Sequence, residues 1–143
     1  MLLQDKVIVV AGVGPGLGRA IALAGAREGA DVVLAARTAA RLDDVAKEIA
    51  ELGGRGLAVP TDLADAAAAD HLVAAAHDAF GRIDAVVYNA LAMPPIKDLV
   101  AVDLDALGGS FDANVVAALR LTRLFVDALA ASRADMLAQP ARN

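Results

Sequence analysis

Gly12, Gly16 and Gly18 stand in the run "VIVVAGVGPGLGRAIAL" (7–23) with the spacing G-x-x-x-G-x-G. They follow an apolar stretch of strand length and open a stretch of helical period. Glycines so placed suit one kind of chemistry. A tight turn needs a positive φ, a phosphate can approach the backbone only where no Cβ intervenes, and the helix must start close to the strand. The free N–H groups and positive dipole end of that helix then face the phosphate. The turn points to a bound dinucleotide, with Gly14 and Leu17 as further contacts from the same loop. The spacing is not G-x-G-x-x-G, which fails at Leu17 counted from Gly12 and at Arg19 counted from Gly14. Nor is it a P-loop, because no Gly-Lys-Ser/Thr follows.

The end of the next apolar run should say which dinucleotide. An NAD site commonly carries Asp or Glu about 20 residues beyond the glycines, to accept from the ribose 2′-hydroxyl. Here the region reads "LAARTAARL" (34–42), with no carboxylate before Asp43. Arg37, with Thr38, suits a 2′-phosphate instead, because guanidinium pairs well with phosphate. NADP(H) is therefore expected over NAD(H).

Other chemistries find less support. The 143 residues contain no cysteine, which excludes disulfides, thiolate metal sites and a cysteine nucleophile. His71 and His77, six apart on one helix, fall on different faces and read as surface residues, as do the acids Asp43, Asp44 and Glu48. A net charge of -5, one Tyr, three Phe and no Trp leave neither a basic surface nor stacking platforms for nucleic acid. The uncharged stretch between Lys6 and Arg19 falls far short of the ~20 residues that cross a bilayer. "MLLQDK" lacks the basic-then-apolar order of a secretion signal. A cytoplasmic protein without a membrane partner is expected.

The elements that must position these residues follow from periodicity. Strands are expected at "KVIVVAG" (6–12), "DVVLAA" (31–36), "GLAVP" (56–60) and "DAVVYNA" (84–90), with helices near 16–29, 38–52 and 65–80. That alternation is the pattern of parallel βαβ units, and the unbroken Val, Ile and Leu runs suit strands covered on both faces. Thr38 and Asp65 are placed to cap the second and third helices, and "LGGR" (52–55) to end the second. Alanine, with 36 copies, inflates the hydrophobic fraction of 58%. After Pro94 and Pro95 a long helix is expected from Asp103 to about Ala131, with fraying at Gly108 and Gly109. Residues 1–131 then form one domain and 132–143 an irregular tail.

From about Asp5 to Leu129 the chain resembles the short-chain dehydrogenase/reductase family. The likeness rests on the glycine turn, "TDLAD" (61–65), "GRIDAVVYNA" (81–90) and "NVVAALRLT" (114–122), in that order. It implies a Rossmann-type, doubly wound α/β fold, partial here, with four parallel strands in the order 3-2-1-4 and a long final helix. It implies hydride transfer between NAD(P)(H) and a small alcohol or carbonyl substrate, and homo-oligomers formed through the long helix. By the same likeness Asp62 and Leu63 would contact the adenine, and Asn89 and Ala90 would line the cofactor. Asn114 would match the family's helix asparagine, which organises the catalytic lysine through water.

The chain also departs from the family. The usual Asn-Asn-Ala-Gly reads Tyr88-Asn89-Ala90-Leu91, and Pro15 stands where many NADP-preferring members carry a basic residue. The family's catalytic Tyr-x-x-x-Lys cannot be drawn, since Tyr88 is the sole tyrosine and Ala92 follows four later; Ser132 is the one serine after Asn114. These residues therefore read as the cofactor half of such an enzyme without its proton relay, or as a dinucleotide-binding module without chemistry. An unpaired fourth strand and a bare long helix would favour self-association.

Overall fold

The computed structural model describes residues 1–95 and 97–138. Four strands form one parallel sheet: β1 (Val7–Ala11), β2 (Asp31–Ala36), β3 (Gly56–Pro60) and β4 (Ala85–Tyr88), in the order β3-β2-β1-β4. Each crossover is a helix: α1 (Leu17–Arg27), α2 (Ala39–Glu51) and α3 (Ala66–Phe80). β1 is central, in register Val7 to Asp31 on β2 and Ile8 to Ala85 on β4. All five of its residues are buried, as an unalternating apolar run requires when both faces are covered.

Alternate side chains of the strands feed two cores. Val7, Val9 and Ala11 with Val33 and Val59 meet Leu72 of α3, and Leu121 and Phe125 from the helix described next. Ile8, Val10, Val32 and Leu34 meet Leu23 of α1 and Leu42, Val45 and Ile49 of α2. Helices thus cover both faces of the sheet, the doubly wound α/β arrangement.

After β4 the chain crosses a short 3-10 turn (Leu99–Ala101) into α4 (Leu104–Phe111), a π turn (Asp112–Val116) and α5 (Ala117–Ala138). The Asp103 carboxylate accepts from the backbone of Asp105 at 3.0 Å and Ala106 at 3.3 Å, and this cap holds the first turn. Gly108 and Gly109, expected to fray, lie within α4. The helix also continues past Ala131 through Ala138, so the expected irregular tail over 132–143 is corrected for its first part. Ser132 is buried there, and the residues around it are good helix formers. Residues 139–143 lie outside the described residues. At the start of α2, contrary to expectation, Thr38 occupies the cap position but its side chain makes no capping bond. Asp65 does cap α3, accepting from Ala67 N at 2.9 Å.

Among the described residues no helix is long and apolar enough to cross a membrane.

Candidate functional site

The glycine turn separates into two kinds of glycine. Gly12 has φ +104, and a Cβ on it would lie 2.3 Å from the Ala90 nitrogen. A Cβ on Gly18 would lie 2.3 Å from the Gly12 carbonyl oxygen. The protein's own packing demands both, because the turn is pressed against the loop after β4. At Gly14 and Gly16 an added Cβ would meet nothing within 4 Å. Their bare backbone adjoins the start of α1, whose cap residue Gly16 offers no side-chain bond. The first donor beyond that cap to pair is Ala20 N, with the Gly16 carbonyl at 3.1 Å. Open space therefore coincides with an uncapped helix N-terminus, the combination a pyrophosphate requires.

A cleft of about 540 Å³ opens here, over the carboxyl ends of the strands. Four loops supply its walls. Gly12, Gly14, Leu17 and Gly18 come from the first; Arg37, Thr38 and Arg41 from the second; Asp62 and Leu63 from the third; Asn89 and Ala90 from the fourth. Ten of the twelve residues singled out in the sequence thus share one cavity. Gly16 stands beside it without lining it, and Asn114 lies behind Ala113, which does line it. Arg41 carried no motif of its own; its place in the first turn of α2, just after the cap Thr38, is the signal that could have found it.

Charge in the cleft is uneven. Arg19, nearest in sequence to the glycine turn, is occupied: its Nε donates to Glu48 Oε1 at 2.9 Å, and its Nη2 also pairs with that carboxylate. Arg37 and Arg41 form no ion pair among the described residues. They are the cations left to meet an anionic group at the β2 end. His71 and His77 are both exposed on α3, and no cluster of three metal-ligating side chains occurs among the described residues.

The family model described as short chain dehydrogenase matches residues 6–136. The chain belongs to the short chain dehydrogenase family. An uncharacterized oxidoreductase of Mycobacterium tuberculosis is 43% identical over 120 residues, covering 84% of this chain and 45% of that protein. An L-rhamnose 1-dehydrogenase (NAD(P)(+)) of Azotobacter vinelandii is 44% identical over 98 residues, covering 66% of this chain and 38% of the relative. Among solved structures, a mutant short-chain dehydrogenase/reductase of Serratia marcescens superposes with a TM-score of 0.83 at 32% identity, over 90% of this chain and 53% of that one. Apo glucose dehydrogenase of Caenorhabditis elegans gives 0.81 at 26% identity, over 93% and 53%. The chain spans less than half the length of these curated relatives.

The departures from the short chain dehydrogenase pattern have physical readings. Tyr88 replaces a family asparagine at the end of β4, and its phenol donates to the Ala113 carbonyl in the π turn at 2.5 Å. Burial pushes that phenol above its ordinary value and Arg120 draws it partly back, so it stays protonated and a donor at neutral pH. Leu91 replaces a family glycine. Asp5 is the sole non-glycine residue with positive φ among those described, so the backbone at Leu91 needs no glycine. Its side chain is 72% exposed at the cleft mouth.

The loop after β4 is fastened on both sides. Asn89 Nδ2 donates to the Gly12 carbonyl at 2.9 Å, tying the fourth loop to the first. Asn114 grips Ala92, with Oδ1 accepting from its N–H at 2.8 Å and Nδ2 donating to its carbonyl at 2.7 Å. Ser110, one turn earlier, donates to the same carbonyl. Sequence reading missed Ser110, whose only signal was its spacing of four from Asn114.

Proposed function

We propose that these residues bind a nicotinamide dinucleotide, NADP(H) in preference to NAD(H), across the carboxyl ends of β1 to β4. The observation that carries the reading is the open backbone at Gly14 and Gly16 over the uncapped start of α1. In this reading the pyrophosphate lies on that helix end, and Asp62 and Leu63 border the adenine. Arg37 and Arg41 face a 2′-phosphate, which a bidentate guanidinium recognises and a bare ribose hydroxyl does not satisfy. Asn89 and Ala90 flank the nicotinamide side. When bound, the cofactor would supply or accept a hydride, and the partner substrate would be a small alcohol or carbonyl compound.

Asn114 acts as a positioning residue in this account, since its amide is spent on Ala92 and Ser110. The Tyr-x-x-x-Lys pair of the family does not occur in these 143 residues. What they contribute is therefore binding and orientation. Hydride transfer by this polypeptide alone is expected to be slower than in a relay-bearing relative by the ~10²–10⁴-fold that general acid–base help supplies. Titrating NADPH and NADH against the protein by fluorescence tests the reading. Tighter binding of NADPH supports it, equal affinity removes the 2′-phosphate assignment, and binding of neither removes the dinucleotide itself.

Homo-oligomer formation belongs to the same proposal. Leu107, Phe111, Leu119 and Val126 are between 49% and 62% exposed along α4 and α5, an apolar stripe of the kind that self-associates.

A further inference from the structure

Resting on the dinucleotide reading above, we infer that Arg120 is a positioning residue for the adenine end of the cleft, holding the 61–65 turn from α5, which packs beside α3 on the same face of the sheet. The turn's other bonds are local or run to the neighbouring strand. Thr61 N donates to the Ala36 carbonyl at 2.9 Å, Ala64 N to Asp62 Oδ1 at 3.0 Å, and Asp65 N to the Asp62 carbonyl at 3.0 Å. None of these fixes the turn relative to the helical wall opposite. Arg120 Nη1 does so, donating to the Ala64 carbonyl at 3.2 Å over a sequence separation of 56.

The guanidinium also sits close enough to Tyr88 to influence its phenol, so it touches the electrostatics of the fourth loop while holding the third. Asp62, Leu63 and Ala64 line the cleft on one side, and Tyr88 and Ala113 on the other. Arg120 does not itself line the cleft, but it is bonded to the first of these walls and its charge acts on Tyr88 in the second. A planar cation reaching a carbonyl makes a stronger bond than a neutral donor, although part of that strength is lost to water at a half-exposed site. Its partner carbonyl lies just before the Asp65 cap of α3, so loosening it frees the residues that would border an adenine.

The test compares wild type with Arg120→Met, which keeps the apolar stem and removes the donors, and Arg120→Lys, which restores a cation. Backbone hydrogen exchange of the ligand-free proteins is read at residues 63–65. Faster exchange there in Arg120→Met, with Gly14–Leu17 unchanged and recovery in Arg120→Lys, supports the anchor; exchange at the wild-type rate overturns it. Binding of AMP, NADPH and nicotinamide mononucleotide is then titrated. AMP and NADPH are expected to weaken together by roughly 3–10-fold, in line with loss of one exposed charge-assisted bond, and nicotinamide mononucleotide to stay unchanged. Unaltered AMP affinity in a variant with faster exchange overturns the positioning role. Failure of wild type to bind any of the three overturns the dinucleotide reading, while the exchange result still decides the anchor. A general loss of melting temperature in both variants would mark Arg120 as merely structural and overturn the inference.

Discussion

Replacing Gly12 and Gly14 separately by alanine should split folding from binding. At Gly12 a side chain meets a φ of +104 and a backbone nitrogen 2.3 Å from its Cβ. The left-handed backbone costs about 1–2 kcal/mol and forced repacking about 1–3 kcal/mol, together about 2–5 kcal/mol. For a domain of this size that lowers Tm by roughly 6–15 °C. At Gly14 the Cβ has no neighbour within 4 Å and φ is not positive, so Tm should stay within ~2 °C of wild type. The same methyl occupies space that the proposed phosphate needs, and NADPH affinity should fall at least tenfold, about 1.4 kcal/mol or more. Differential scanning fluorimetry reads the first quantity and fluorescence titration the second. Wild-type NADPH affinity in Gly14→Ala would refute the phosphate cradle; a wild-type Tm in Gly12→Ala would refute the packing argument.

Three further outcomes are expected. Arg37→Ala should weaken NADPH by about 1.5–3 kcal/mol, the worth of a charge-assisted bond, and leave NADH within twofold; parallel titrations check this. Asp84 takes bonds from Val7 N, Arg82 Nε and Arg82 Nη2 at 2.9, 2.9 and 2.6 Å at the edge of the sheet opposite the cleft. Burial pushes its carboxyl up, but Arg82, Val7 and Lys6 together outweigh that and leave it below its ordinary value of 3.8. A depressed carboxyl stabilises the fold above that ordinary value and loses the contribution as pH falls below it, so Tm should drop in that acid range and Asp84→Asn should flatten the drop. Leu119→Glu should dissolve self-association through the exposed stripe, visible in sedimentation velocity as a shift to monomer without loss of melting temperature.

The sheet was legible because burial on both faces writes itself as unbroken Val, Ile and Leu runs. β2 and β3 match their expected ranges of 31–36 and 56–60, and β1 and β4 fall inside theirs. The order 3-2-1-4 followed from the resemblance rather than from periodicity. What stayed hidden was side-chain commitment. Thr38 has the residue type of a helix cap, yet the type does not say whether the hydroxyl turns toward the backbone. The π turn at Asp112–Val116 has no compositional mark; its supports, the Tyr88 phenol on the Ala113 carbonyl and Ala92 bonded to Ser110 and Asn114, are long-range partners that no local window contains. The continuation of α5 past Ala131 was missed because its tail lacks a stripe of large apolar residues, although Ser132 is buried.

Those long-range bonds also decide what the cleft costs to use. Gly12 N and Val13 N donate to the Ala35 carbonyl at 2.8 and 3.1 Å, and Thr61 N to the Ala36 carbonyl, so the first and third loops are each tied to the end of β2. Asn89 joins the fourth loop to the first, and Asn114 with Ser110 fastens the same loop to α4 and the π turn. The first, third and fourth walls are thereby held to a neighbour before any ligand arrives. A ligand that finds its loops already ordered does not lose affinity to ordering them, a cost of about 0.5–1.5 kcal/mol for each side chain immobilised. The exceptions are Arg37 and Arg41, exposed and without an ion pair among the described residues. Ordering is therefore concentrated at the 2′-phosphate corner, and the entropic penalty of binding should be larger for NADPH than for NADH even where its affinity is higher. Isothermal titration calorimetry measures that difference, and an equal entropy of binding for the two dinucleotides would contradict it.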